Sequence, residues 1–91
     1  MTVEWTDFAL DQLADIWVTI TPVERTVIEH TVDAINARLA VDLSSVGESR
    51  PGNRRVWFRH PLVVVYRLVP GGGVIVSHVA KLRPWRADGV T

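Results

Sequence analysis

Apolar residues along this chain follow two different rhythms. Up to about residue 40 they recur every three or four positions; beyond residue 53 they alternate with polar residues or run on unbroken. Val3 and Trp5 alternate with polar neighbours, which suits a short edge strand. Thr6 then stands where a helix N-cap belongs, and Asp7 suits a first helical turn. Leu10, Leu13, Trp17 and Ile20 follow at helical spacing and predict one apolar face. A second start signal is stronger: Thr21-Pro22-Val23-Glu24 places a capping Thr, a Pro at the first helical position and a Glu three residues after the cap. Ile28, Val32, Ile35 and Leu39 mark the buried face of that second helix. With almost no loop between them, the two helices are expected to fold back as an antiparallel hairpin.

Residues 42–53, DLSSVGESRPGN, are polar, hold two glycines and a proline, and predict a loop. Strands are expected at 54–59, 62–69 and 74–80, separated by His60-Pro61 and by Pro70-Gly71-Gly72-Gly73. The order β-α-α-β-β-β predicts an α+β fold. Its N-terminal strand joins a mostly antiparallel four-stranded sheet, and the helical hairpin packs on one face. Residues 1–91 are expected to form one domain.

The stretch RRVWFRHPLVVVYRLV, residues 54–69, is the most strand-like in the chain, yet it carries Arg54, Arg55, Arg59 and Arg67. Successive strand residues point to opposite faces. If Val56, Phe58, Leu62, Val64, Tyr66 and Leu68 meet the helices, then Arg55, Trp57, Arg59, Val63, Val65 and Arg67 occupy the other face. Pairing Val69 with Val74 adds Ile75, Ser77 and Val79 to the core and Val74, Val76 and His78 to the arginine side. This register buries no arginine and the opposite one buries three, although a one-residue slip would invert a strand. An uncovered face of arginine, tryptophan and valine is chemically a binding surface, for nucleic acid or for an acidic amphipathic peptide. The tail KLRPWR adds Lys81, Arg83, Trp85 and Arg86 beside it.

Charge sharpens this picture. The net charge is zero, but residues 1–49 hold nine acids and two bases, whereas residues 50–91 hold eight bases and one acid. Seven of those eight bases are arginine, the side chain suited to bidentate contact with phosphate or carboxylate. Either the basic half presents a working surface, or the halves neutralise each other across their interface. The chain has no cysteine, which excludes disulfides and thiolate metal sites and fits a reducing cytoplasm. The opening MTVEWTDFALDQL carries acids where a secretory signal has bases, and no apolar run approaches the roughly 18 residues of a membrane span. A soluble cytoplasmic protein without membrane partners is expected.

Several stretches together resemble the RelE/ParE family of toxins from bacterial type II toxin–antitoxin systems. They are Val3-Glu4-Trp5-Thr6 with Ala9 and Leu13, the helical hairpin, Arg38 with Leu39, GESR at 47–50, PLVVVYRLV at 61–69 and VIVSHVAKLR at 74–83. The resemblance spans nearly the whole chain and implies a toxin. RelE-like members cleave mRNA in the ribosomal decoding site by attack of the ribose 2′-hydroxyl, without metal. ParE-like members inhibit DNA gyrase. A third possibility is a catalytically silent member that only binds antitoxin or nucleic acid. For the ribonuclease reading, the resemblance implies Arg67, His78, Lys81 and Arg83 as catalytic residues. Arg50, Arg55, Trp57, Arg59, Trp85 and Arg86 are implied to bind nucleic acid or antitoxin. Two positions depart from the ribonuclease pattern: Val63 stands where a base is expected, and no tyrosine follows Tyr66. The implied partners are a cognate antitoxin with an acidic amphipathic segment and either ribosome-bound mRNA or DNA gyrase. No cofactor is implied, and the chain contains no nucleotide-binding loop or nucleophile triad. Glu48 as a base, Glu29, His30 and Asp33 as a metal set, and His60 as more than a turn residue are weaker candidates.

Overall fold

A computed structural model describes residues 2–41, 48–50 and 53–82, with the side chains of 48–50 excepted. The elements are β1 (Val3–Trp5), α1 (Asp7–Val18), α2 (Pro22–Val41), β2 (Glu48–Arg50), β3 (Arg54–Arg59), β4 (Leu62–Leu68) and β5 (Val74–Lys81). The five strands form one sheet in the order β1-β5-β4-β3-β2. Only β1–β5 is parallel; the other neighbours are antiparallel. The α+β arrangement expected from the sequence is present, and the GESR segment adds β2 as a short fifth strand where a loop was expected.

Both helices begin as their sequences dictate. Thr6 Oγ1 accepts from the Ala9 amide at 3.0 Å and caps α1. Thr21 Oγ1 accepts from the Glu24 amide at 3.2 Å, while Glu24 Oε1 accepts from the Thr21 amide at 3.0 Å. That is a complete capping box, which satisfies two amides that α2 cannot pair internally. Helix α1 has no base in its last turn, and Arg25 of α2 supplies one. Its Nε donates to the Trp17 carbonyl at 3.0 Å, and its guanidinium lies 5.6 Å from the Trp17 ring centroid.

The core lies between the helices and one sheet face. Ile28, Ile35 and Leu39 of α2 meet Leu62, Val64 and Tyr66 of β4 and Val74, Val76 and Val79 of β5, all buried. Trp5 packs at its margin and donates from Nε1 to Asn36 Oδ1 at 2.8 Å. On α1 the inward residue is Ala9, fully buried, whereas Leu10 is exposed. The apolar face of α1 therefore starts one position earlier than the leucine spacing suggests, because a small residue allows the helix to approach β5 closely. Helix α1 also finishes the edge of β5 beyond the end of β1. Thr6 donates its amide to the Val76 carbonyl at 3.0 Å, and Gln12 Oε1 accepts from the Val79 amide at 2.9 Å. Backbone groups that an edge strand would leave bare are thus paired.

Two expected strand faces are reversed. The β3–β4 loop is only His60 and Pro61, so Arg59 pairs with Leu62, Trp57 with Val64 and Arg55 with Tyr66. Paired residues share a face, which places Arg55, Trp57 and Arg59 on the helix side and Val56 and Phe58 on the open side. Helix α1 lies against β5 and β1, and α2 covers β3 only in part, so on the helix side Arg59 stays exposed and Arg55 half-buried. At the glycine turn, Val69 donates its amide to the Gly73 carbonyl at 3.0 Å, and the ladder begins at Leu68–Val74, one residue from the expected pair. Gly71 and Gly72 have φ of 91° and 102°, a region that favours glycine. Val74 and Val76 are consequently core residues and Ile75 faces outward. A β-bulge then skips Ser77, since His78 pairs with Val65 but Val76 pairs with Tyr66. The bulge restores the phase, so that Val79 faces the core and His78 the open side, as the alternation had predicted for those two.

Candidate functional site

The face turned away from the helices carries Arg54, Val56 and Phe58 from β3, Val63, Val65 and Arg67 from β4, and Ile75 and His78 from β5. Arg54 and Arg67 are direct cross-strand partners, and both are exposed. Phe58 is 56% exposed and Val56, Val63, Val65 and Ile75 are half-buried, so the arginines stand beside an apolar floor. His78 lies on the same face, opposite the residue two before Arg67, which sets their Cα atoms roughly 7–8 Å apart. Its Nδ1 is 2.9 Å from Ser77 Oγ, and its ring meets the edge of Phe8 with centroids 5.3 Å apart.

The sequence-predicted residues are divided between the two faces. Arg67 and His78 share the open one. Lys81 pairs with Leu62 and belongs to the helix side, where Nζ lies 4.0 Å from Glu24 Oε2. It borders a cavity of about 200 Å³ lined by Val27, Ile28, His60, Pro61 and Leu82 as well. The Thr21 amide, more than Lys81, holds the Glu24 carboxyl below its ordinary value. Arg55, also on the helix side, bonds to the phenol of Tyr66, which is fully buried. Burial pushes the Tyr66 phenol up, and Arg55 opposes that in part. Trp57 and Arg59 line a groove of about 420 Å³ against Ala34, Ala37, Arg38 and Val41 of α2. Arg50 belongs to β2, paired with Arg54, and its side chain lies outside the described residues, as do Arg83, Trp85 and Arg86.

No protein-family model matches this chain, and no curated protein matches it in sequence. Among solved structures it is similar to a chain of the chromosomal ParDE TA system from P. aeruginosa, with a TM-score of 0.68 and 19% identity. The two share a fold. The match covers 91% of this chain and 97% of the ParDE chain, so it takes in the helical pair and the sheet together. At that identity the likeness to the ParDE chain is one of architecture, and the chemistry has to be read from the side chains.

Alternation did not single out Arg54 and Phe58 as members of the open face, although one signal for them was available. In a hairpin with a two-residue loop the flanking residues pair directly, which ties Arg59 to Leu62 and so Arg54 and Phe58 to Arg67 and Val63. Nothing in the sequence marked Ser77 as a bulge. Among the described residues, no three His, Asp or Glu side chains lie close enough to hold a metal ion, and no helix is long and apolar enough to cross a membrane.

Proposed function

We propose that this chain is the toxin of a toxin–antitoxin pair and that it cleaves mRNA on the ribosome through its open sheet face, in the cytoplasm. The observation that carries this reading is the grouping of Arg54, Arg67, Phe58 and His78 on the sheet face opposite the core, where Phe8 of α1 meets the His78 ring at the margin. The arginines would neutralise backbone phosphates, and Phe58 offers a surface on which a base can stack. The 2′-hydroxyl gives its proton to His78, the 2′-oxygen bonds to phosphorus, and the P–O5′ bond breaks. The departing 5′-oxygen takes a proton from solvent, and Arg67 offsets the charge on the phosphorane-like transition state. Lys81 lies on the helix side, with Nζ 4.0 Å from Glu24 Oε2, so the step is written without it. The likeness in fold to the ParDE chain supports the pairing with an antitoxin. The groove between α2 and β3 suits an acidic amphipathic segment of that antitoxin. Ala34, Ala37, Val41 and Trp57 would take its apolar side chains, and Arg38 and Arg59 its carboxylates.

Gyrase inhibition is the second reading, favoured by the placement of Lys81 and by Val63 on the open face in place of a base. Induced expression separates the two. Cleavage halts protein synthesis first and leaves breaks inside translated codons, whereas gyrase inhibition induces DNA damage while mRNA stays intact. Growth arrest that His78→Ala abolishes, with mRNA broken only when translated, is the expected result. Undisturbed translation and replication would leave a silent binding module.

A further inference from the structure

Ser77 has no partner on β4, and the extra residue turns its side chain into a bridge between β4 and His78. Ser77 Oγ donates to the Val65 carbonyl at 3.3 Å and also lies 2.9 Å from His78 Nδ1. A hydroxyl has one proton. Where that proton is directed to the carbonyl, which can only accept, the serine oxygen accepts from the imidazole. Nδ1 then carries the hydrogen, and in the neutral ring Nε2 is bare. The ring also meets Phe8 in a T-shaped contact, at an interplanar angle of 73°. The bulge itself is anchored by the start of α1, since Thr6 Oγ1 donates to the Ser77 carbonyl at 3.4 Å and the Thr6 amide donates to Val76. Bulges that re-aim one side chain recur beside working sites.

We propose that Ser77 is a positioning residue that sets the tautomer of His78, so that an exposed, unprotonated Nε2 is the proton acceptor on the open face. This deepens the cleavage reading and rests on it for its purpose, though not for its geometry. The proton taken from the ribose 2′-hydroxyl arrives at Nε2, and the imidazolium then donates from Nδ1 to Ser77 and returns the Nε2 proton to water. An Nε2–H tautomer would present a donor where a base is needed, and the step would stall.

Nitrogen-15 side-chain spectra of the intact protein, at a pH where the ring is neutral, read the tautomer directly. The expected wild-type spectrum shows His78 with Nδ1 protonated and Nε2 bare. Ser77→Ala should lose that preference and Ser77→Thr, which keeps the hydroxyl, should retain it. In ribosome-dependent cleavage assays Ser77→Ala should be slower by about tenfold, the cost typical of removing a partner that orients a working histidine, and Ser77→Thr should recover most of the rate. A wild-type ring protonated on Nε2 overturns the proposal, as does a Ser77→Ala protein that keeps Nδ1–H or the full cleavage rate of an active wild type. If the tautomers behave as expected but the wild type leaves translated mRNA intact, the cleavage reading fails and the orientation of His78 stands.

Discussion

At the scale of single residues, the hydrogen bonds of a few side chains have measurable consequences. Thr21→Ala removes one half of the α2 capping box and should lower unfolding free energy by about 1 kcal/mol in denaturant titration. The other half is pH-sensitive. Since the Glu24 carboxyl is held below its ordinary value of 4.5, its contribution is fully present above that pH and is lost as pH falls through the lowered value. Glu24→Gln should flatten that acid limb. Tyr66 acts at the opposite end. Burial raises its phenol above 10.0, so the unfolded chain ionises first. The associated stability is present below pH 10 and declines as pH climbs towards the raised folded value. Thermal melts of Tyr66→Phe should show a shallower alkaline decline than wild type, although the lost bond to Arg55 lowers stability at neutral pH.

At the scale of elements, strand phase decides what each substitution costs. Leu62 is fully buried and its neighbour Val63 faces away from the helices. Leu62→Ala should therefore cost about 3 kcal/mol through the cavity it leaves, whereas Phe58→Ser, at a position 56% exposed, should stay within about 0.5 kcal/mol. A Phe58→Ser cost as large as that of Leu62→Ala would restore the β3 phase that alternation alone suggests. The β3 error has a specific origin. Arg54, Val56 and Phe58 lie on one face and Arg55, Trp57 and Arg59 on the other, so polarity favours burying the face with fewer arginines. Only the direct pairing across His60-Pro61 selects the helix side for Arg55 and Arg59.

For the whole molecule, the two arginine groups make separable surfaces. Arg54 and Arg67 lie on the open face, while Arg38 and Arg59 flank the groove on the helix side. Arg67→Glu should abolish growth arrest while leaving antitoxin affinity within a few fold. Arg59→Glu should weaken antitoxin binding by tenfold or more at moderate salt, with the difference shrinking at high salt as screening increases. Titration of the purified pair by calorimetry checks both. Equal loss of affinity in the two variants would mean that the partner covers both faces and that the separation is wrong.

The sequence by itself determined every element but β2. Thr6, Thr21, Pro22 and Glu24 start the helices where the structure has them, and Gly71 to Gly73 make the last turn. These signals are local, carried by residues within one turn or one strand of each other. The sequence also identified Arg67 and His78 as residues of the uncovered face. Only the tertiary structure decided which side of β3 meets the helices, that Lys81 turns to Glu24, and that Ser77 leaves the ladder to bond His78. Each of those outcomes depends on a partner in another element: the β4 strand that β3 pairs with, Glu24 at the start of α2, and Thr6 holding the bulge. Strand alternation has a period of two and no memory of where the next element lies, so it can assign residues to faces but cannot say which face is covered.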